Sequence, residues 1–92
     1  MPKLSPSEIE TKLKDLPGWS LQEGALVRDW EFADFVQAMT FVNHVAQAAE
    51  AADHHPDIDI RYNKVRLALV THSSGGITDK DASMAGQISQ IG

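Results

Sequence analysis

Three of the four histidines, His54, His55 and His72, lie between Glu50 and Asp81, in company with Asp53. Imidazole titrates near neutral pH, so a group of histidines can hold one protonated and one neutral ring together. Nearby carboxylates orient such rings. That combination suits a reaction in which one group leaves as water while another gives up a proton. A metal site is a competing reading, although adjacent histidines diverge and chelate poorly, and the chain has no cysteine to add. A purely structural reading stands beside both. Histidine at a helix C-terminus meets the dipole favourably, and Asp81 follows Thr78 at the spacing of a capping box. His44 sits apart from the group and reads as surface.

The elements that must position these residues can be read from periodicity and turn chemistry. Ser5-Pro6-Ser7-Glu8 has the form of a helix start with a capping box, and Ile9, Leu13 and Leu16 follow at helical spacing before Pro17-Gly18. Trp19 to Leu21 and Leu26 to Phe32 read as a hairpin around Gln22-Glu23-Gly24. The spacing predicts a long helix from about Asp34 to Asp53, with Phe35, Met39, Val42, Val45 or Ala46, Ala49 and Ala52 as its apolar stripe. Pro56 stops that helix.

Ile58, Ile60 and Tyr62 then alternate with charged residues as a half-buried strand, with a turn at Asn63-Lys64. Val65, Leu67, Leu69 and Thr71 form one face of the next strand, with His72 at its end on the other. A last helix starts at Thr78 and carries Ala82, Ala85, Ile88 and Ile91 on one side. The order is α-β-β-α-β-β-α, an α+β fold with an antiparallel sheet and its helices on one face.

By this reading Glu50, Asp53 and His54 share the last turn of the long helix. If the two following strands pair, His72 returns beside His54 and His55, and the loop Ser73 to Gly76 closes over them.

Composition narrows the function. At 92 residues, with 42% hydrophobic and 23% charged, the chain is expected to be one folded domain with a thin core that self-association would help. Thirteen acidic against eight basic residues leave a charge of −5 with no basic run, a poor partner for nucleic acid or an anionic membrane. The lack of cysteine excludes disulfides and thiol catalysis and fits a reducing cytoplasm. The first residues lack the apolar stretch of a signal peptide, and apolar runs stay far short of the roughly 20 residues of a membrane span.

The longer pattern resembles the pterin-4a-carbinolamine dehydratases. That family's signature is an acidic residue, three residues, His-His-Pro, five residues, an aromatic, nine residues, His, eight residues and Asp. Here Glu50, His54-His55-Pro56, Tyr62, His72 and Asp81 keep every interval. Phe32-Ala33-Asp34-Phe35, the helix through Phe41, Val45, Ala46 and Ala49, and Tyr62-Asn63-Lys64-Val65 are also similar.

The resemblance implies a single domain over 1–92, a four-stranded antiparallel sheet covered on one face by three helices. It implies dehydration of 4a-hydroxytetrahydropterin to quinonoid dihydropterin, without metal or organic cofactor, in company with a tetrahydropterin-dependent aromatic amino acid hydroxylase. His54, His55 and His72 match the family's catalytic histidines, with Glu50, Asp53 and Asp81 in support. Asp53, His54, His55, Val70, Thr71, His72 and Ser73 match its substrate contacts, partly through backbone.

Two departures are visible. Ile58 stands where many members carry tryptophan, and Ser-Ser-Gly-Gly follows His72 where some carry cysteine. Neither removes an ionisable group, so changed affinity with retained chemistry is expected. The family also implies homodimers or homotetramers, and a second role for some members as dimerisation, coactivator or assembly partners of other proteins.

Overall fold

In the computed structural model, which describes residues 2–91, the chain follows the expected order. Helix α1 spans Pro6–Leu13, strands β1 and β2 span Ser20–Gln22 and Ala25–Glu31, and helix α2 spans Phe35–Ala52. Strands β3 and β4 span Asp57–Arg61 and Lys64–Leu69, and helix α3 spans Asp79–Ile91. The four strands form one antiparallel sheet in the order β1-β2-β4-β3, so the two hairpins join through their second strands.

Local chemistry explains each boundary. Ser5 Oγ accepts from the Glu8 amide at 3.2 Å while Glu8 accepts from the Ser5 amide at 2.8 Å, which completes the capping box. Asp34 caps α2 by accepting from the Gln37 amide at 2.9 Å. The β1–β2 loop is the pair Glu23-Gly24, both at positive φ, the geometry that a two-residue hairpin loop favours.

The core lies between the helices and one face of the central strands. Leu26 and Trp30 of β2 and Val65, Leu67 and Leu69 of β4 meet Phe41 and Val45 of α2 and Met84 and Ile88 of α3. Trp30 is edge-on to Trp19 at 5.7 Å and tilted against Phe41 at 4.8 Å. Ser89 pins the far end of α3 by accepting from Trp19 Nε1 at 3.0 Å and from Arg28 at 3.3 Å.

Several expectations are corrected. The β3 strand is exposed throughout, with Ile58 and Ile60 at 38% and 36%, because it is a sheet edge that the helices leave uncovered. Its turn is Tyr62-Asn63, one residue earlier than expected, and Tyr62 takes φ +55°. A tertiary lock fixes this register: Asn63 Nδ2 donates to the Phe32 carbonyl at 2.8 Å, and the Phe32 amide donates to the Asn63 carbonyl at 2.8 Å.

Along α2 the buried stripe is Ala38, Phe41, Val42, Val45 and Ala49, whereas Phe35, Ala46 and Ala52 are exposed. That helix is apolar at so many positions that periodicity alone defines more than one arc. On α3, Met84 is buried and Ile91 is not, and Ala82 is only partly covered. Strand β4 ends at Leu69, before Thr71.

The open sheet face carries a bidentate pair, Arg66 to Asp29, at 2.7 and 3.0 Å across adjacent strands. The Arg66 guanidinium holds the Asp29 carboxyl below its ordinary value. A carboxyl depressed in the folded state stabilises it above the unfolded-state pKa, and that contribution fades as pH falls through the folded value. NMR titration should therefore find the Asp29 midpoint low in the native protein, and Arg66→Ala should return it upward.

Candidate functional site

The C-terminal end of α2 sets the geometry. Asp53 adopts the left-handed conformation, φ 51° and ψ 42°, and its amide bonds back to the helix carbonyls. The His54 amide donates to the Ala49 carbonyl at 3.1 Å. This reversal ends the helix before the histidine pair. It sends His54 inward, its side chain 12% exposed, and leaves His55 outward at 58%. Pro56, buried, then directs the chain into β3.

His54 Nε2 meets Oδ1 of Asp81 at 2.5 Å. Asp81 is fully buried, and its other oxygen accepts from the Thr71 hydroxyl at 2.8 Å and the Thr78 amide at 2.9 Å. The Thr78 hydroxyl sits 2.8 Å from that of Thr71, also within the buried set. One carboxylate thus joins the end of α2, the segment after β4 and the start of α3. The capping and catalytic readings of Asp81 are compatible here, because Oδ2 caps the helix while Oδ1 holds an imidazole. The contact with Asp81 is made through Nε2 of His54.

His55 Nε2 pairs with Glu50 Oε2 at 2.8 Å on the exposed surface. Glu50 therefore orients His55 and not His54, contrary to the shared helical face expected from spacing. The expectation placed His54 inside the helix, and the left-handed Asp53 removes it. Asp53 contributes its backbone here, as no side-chain hydrogen bond of its own is formed among the described residues.

His72 opens a 3₁₀ turn, His72–Ser74, that Gly75 closes at φ +73°. Thr71 and Gly76 bracket the turn with paired backbone hydrogen bonds at 3.0 and 3.3 Å. The Thr71 hydroxyl, amide and carbonyl are all engaged within the protein. Val70 is half-buried, while His72 and Ser73 are exposed. Among the described residues His72 makes no hydrogen bond to His54 or His55; its segment is tied to theirs through Thr71 and Asp81.

Two hollows bear on the site. One of about 280 Å³ lies between the end of α2 and α3, lined by Ala52, His54, Lys80, Ser83, Met84 and Gln87. A larger one of about 590 Å³ lies by the open sheet face, where Asp29, Asp59, Arg61 and Arg66 largely pair with one another, and no histidine lines it. Among the described residues no set of three His, Cys, Asp or Glu side chains converges as a metal site. The α3 wall was missed from sequence, although Lys80, Ser83, Met84 and Gln87 stand at helical spacing on one side.

The family model described as pterin 4 alpha carbinolamine dehydratase matches residues 2–91. The chain belongs to this family. A protein of Acidobacterium capsulatum provisionally named pterin-4-alpha-carbinolamine dehydratase is 56% identical over 91 residues, covering 99% of each chain. A similarly named protein of Chloroflexus aurantiacus is 55% identical over 99% of this chain and 98% of its own.

The crystal structure of a transcriptional coactivator/pterin dehydratase from Brucella melitensis superposes with a TM-score of 0.93 at 37% identity, covering 97% of both chains. A pterin dehydratase-like protein identified as a RuBisCO assembly factor in the alpha-carboxysome shares the fold, with a TM-score of 0.68 over 80% of this chain and 88% of its own at 19% identity. One architecture thus appears in proteins described in different ways.

Replacing Thr71 by valine removes a donor from a buried carboxylate, which should cost about 1–3 kcal/mol in urea unfolding. Thr71→Ser should recover most of it. Equal stability for valine and serine would show the hydroxyl to be idle.

Proposed function

We propose that the protein dehydrates 4a-hydroxytetrahydropterin to quinonoid dihydropterin and water by histidine acid–base catalysis, in tetrahydropterin recycling. The observation that carries this reading is His54, partly sheltered and held at Nε2 by a buried carboxylate. His55, oriented by Glu50, and His72, on a tight turn, supply further imidazoles on the segments tied to it.

In the reaction the C4a–O bond breaks, the ring N5 loses its proton, and a C4a=N5 double bond forms. An imidazolium protonates the departing hydroxyl, since hydroxide is a poor leaving group, and a neutral imidazole receives the N5 proton. The three histidines share these two roles, and Asp81 compensates the positive charge that passes through His54. Asp53 and the segments Asp53 to His55 and Val70 to Ser73 border the substrate. No step calls on a metal or organic cofactor. A tetrahydropterin-dependent aromatic amino acid hydroxylase would generate the substrate, in the cytoplasm.

A second reading, as an assembly or dimerisation partner, draws on the exposed apolar side chains. Phe35 and Val36 of α2 are 47% and 72% exposed, and Ile58 and Ile60 line an open sheet edge. The same surfaces support a homodimer or homotetramer. No described helix is long and apolar enough to cross a membrane. In sedimentation the protein should run as a dimer or larger, and Ile58→Lys with Ile60→Lys should lower that mass if the β3 edge mediates it.

Carbinolamine loss, followed with enzymatically generated substrate against the spontaneous background, tests the enzyme reading. General acid–base catalysis should accelerate it by about 10²–10⁴-fold. His54→Ala and His72→Ala should each lose most of the gain. No acceleration by the unaltered protein would overturn the proposal in favour of a binding role.

A further inference from the structure

Of the histidines at the site, His72 has the least to hold it. His54 and His55 each pair with a carboxylate, whereas the His72 side chain is exposed and makes no hydrogen bond among the described residues. Its bearing is therefore set by the backbone of the turn His72–Ser74 that carries it. Such a turn is only as fixed as its base. The base here is the bridge between Thr71 and Gly76. Thr71 is held from within by Asp81 and Thr78. Gly76, half-buried, has no side chain to anchor its half of the bridge.

The chain ahead of α1 supplies that anchor. Ser5 is fixed by the capping box, and the Leu4 amide donates to the Ile77 carbonyl at 2.8 Å. Ile77 lies in the core, and Leu4 packs against it. These contacts bring Lys3 against Gly76. The methylenes of Lys3 fill the space that a Cβ on Gly76 would need, and the nearest atoms to that position all belong to Lys3. Unlike Gly75, Gly76 does not take a positive φ. The approach of this stem, and not backbone conformation, is what calls for glycine there. The Lys3 ammonium forms no salt bridge among the described residues, which leaves the apolar stem as the part that acts.

We propose that Lys3 is a positioning residue for His72: its aliphatic stem braces Gly76 and so fixes the turn that aims the imidazole. The inference rests on the dehydratase reading and adds to it a residue outside the histidine and carboxylate set. Lys3 acts through the backbone of the turn and takes no part in proton transfer.

The test uses variants on both sides of the contact. Lys3→Gly removes the stem, Lys3→Met keeps an unbranched stem without the charge, and Gly76→Ala claims the same space from the loop. A lysine stem is flexible, so the Gly76→Ala methyl should displace it and leave the fold intact. Lys3→Gly should lower kcat for carbinolamine loss about tenfold with KM little changed, within the roughly 10²-fold that a misplacement of about 1 Å can cost. Lys3→Met should restore it. Gly76→Ala should cost about as much alone and nothing further beside Lys3→Gly, because both remove one contact. Full kcat in Lys3→Gly, no recovery in Lys3→Met, or additive losses in the double variant would overturn the brace and leave the dehydratase reading standing. NMR order parameters of the Ser73 and Gly75 amides read the turn without turnover. They should be about 0.85 in the unaltered protein and in Lys3→Met, and below about 0.6 in Lys3→Gly. If the unaltered protein accelerates nothing, the dehydratase reading falls, and unchanged order parameters would overturn the brace as well.

Discussion

Three segments converge on the Asp81 carboxylate, the end of α2 from 27 residues away and the other two from within ten. A buried carboxylate is costly unless each oxygen is partnered, and here one oxygen takes two donors and the other an imidazole. The partners are drawn from the end of α2, the residues after β4 and the cap of α3. Desolvation therefore works as a constraint on assembly. The carboxylate is tolerable inside only when all three segments have arrived, and their arrival defines where His54 stands.

The rest of the architecture serves that convergence. Joining the hairpins through β2 and β4 puts the most apolar strands at the centre, where α2 and α3 cover them. The aromatic stack of Trp19, Trp30 and Phe41 and the Ser89 hydrogen bonds hold the opposite end of α3. Fixed at both ends, α3 presents Asp81 to His54 with little freedom. The left-handed Asp53 does the complementary work on α2, since without that reversal the two histidines would lie on successive positions of a helix.

Element order, helix caps and the long helix were legible in the sequence because their signals are local: Ser5 with Glu8, Asp34, Pro56, and alternation from Val65 to Leu69. What escaped depends on neighbours distant in the chain. The Tyr62-Asn63 turn is set by Phe32, and the exposure of Ile58 and Ile60 by where the helices stop. At the candidate site the residue types and their recurrence could be read, and so could Asp81 as either cap or partner. The pairing of Glu50 with His55 could not, because it follows from one backbone reversal that nothing in helical spacing announces. The duties of Thr71 and the α3 wall were hidden for a similar reason: they exist only once two segments pack.

The long reach of the His54–Asp81 contact also imposes an order in time. Asp81 is 27 positions later in the chain than the imidazole it holds. Translation proceeds at about 5–20 residues per second, and every histidine is added before the acceptor that orders His54. The His54 contact is thus complete only when α3, the last element synthesised, docks on the core.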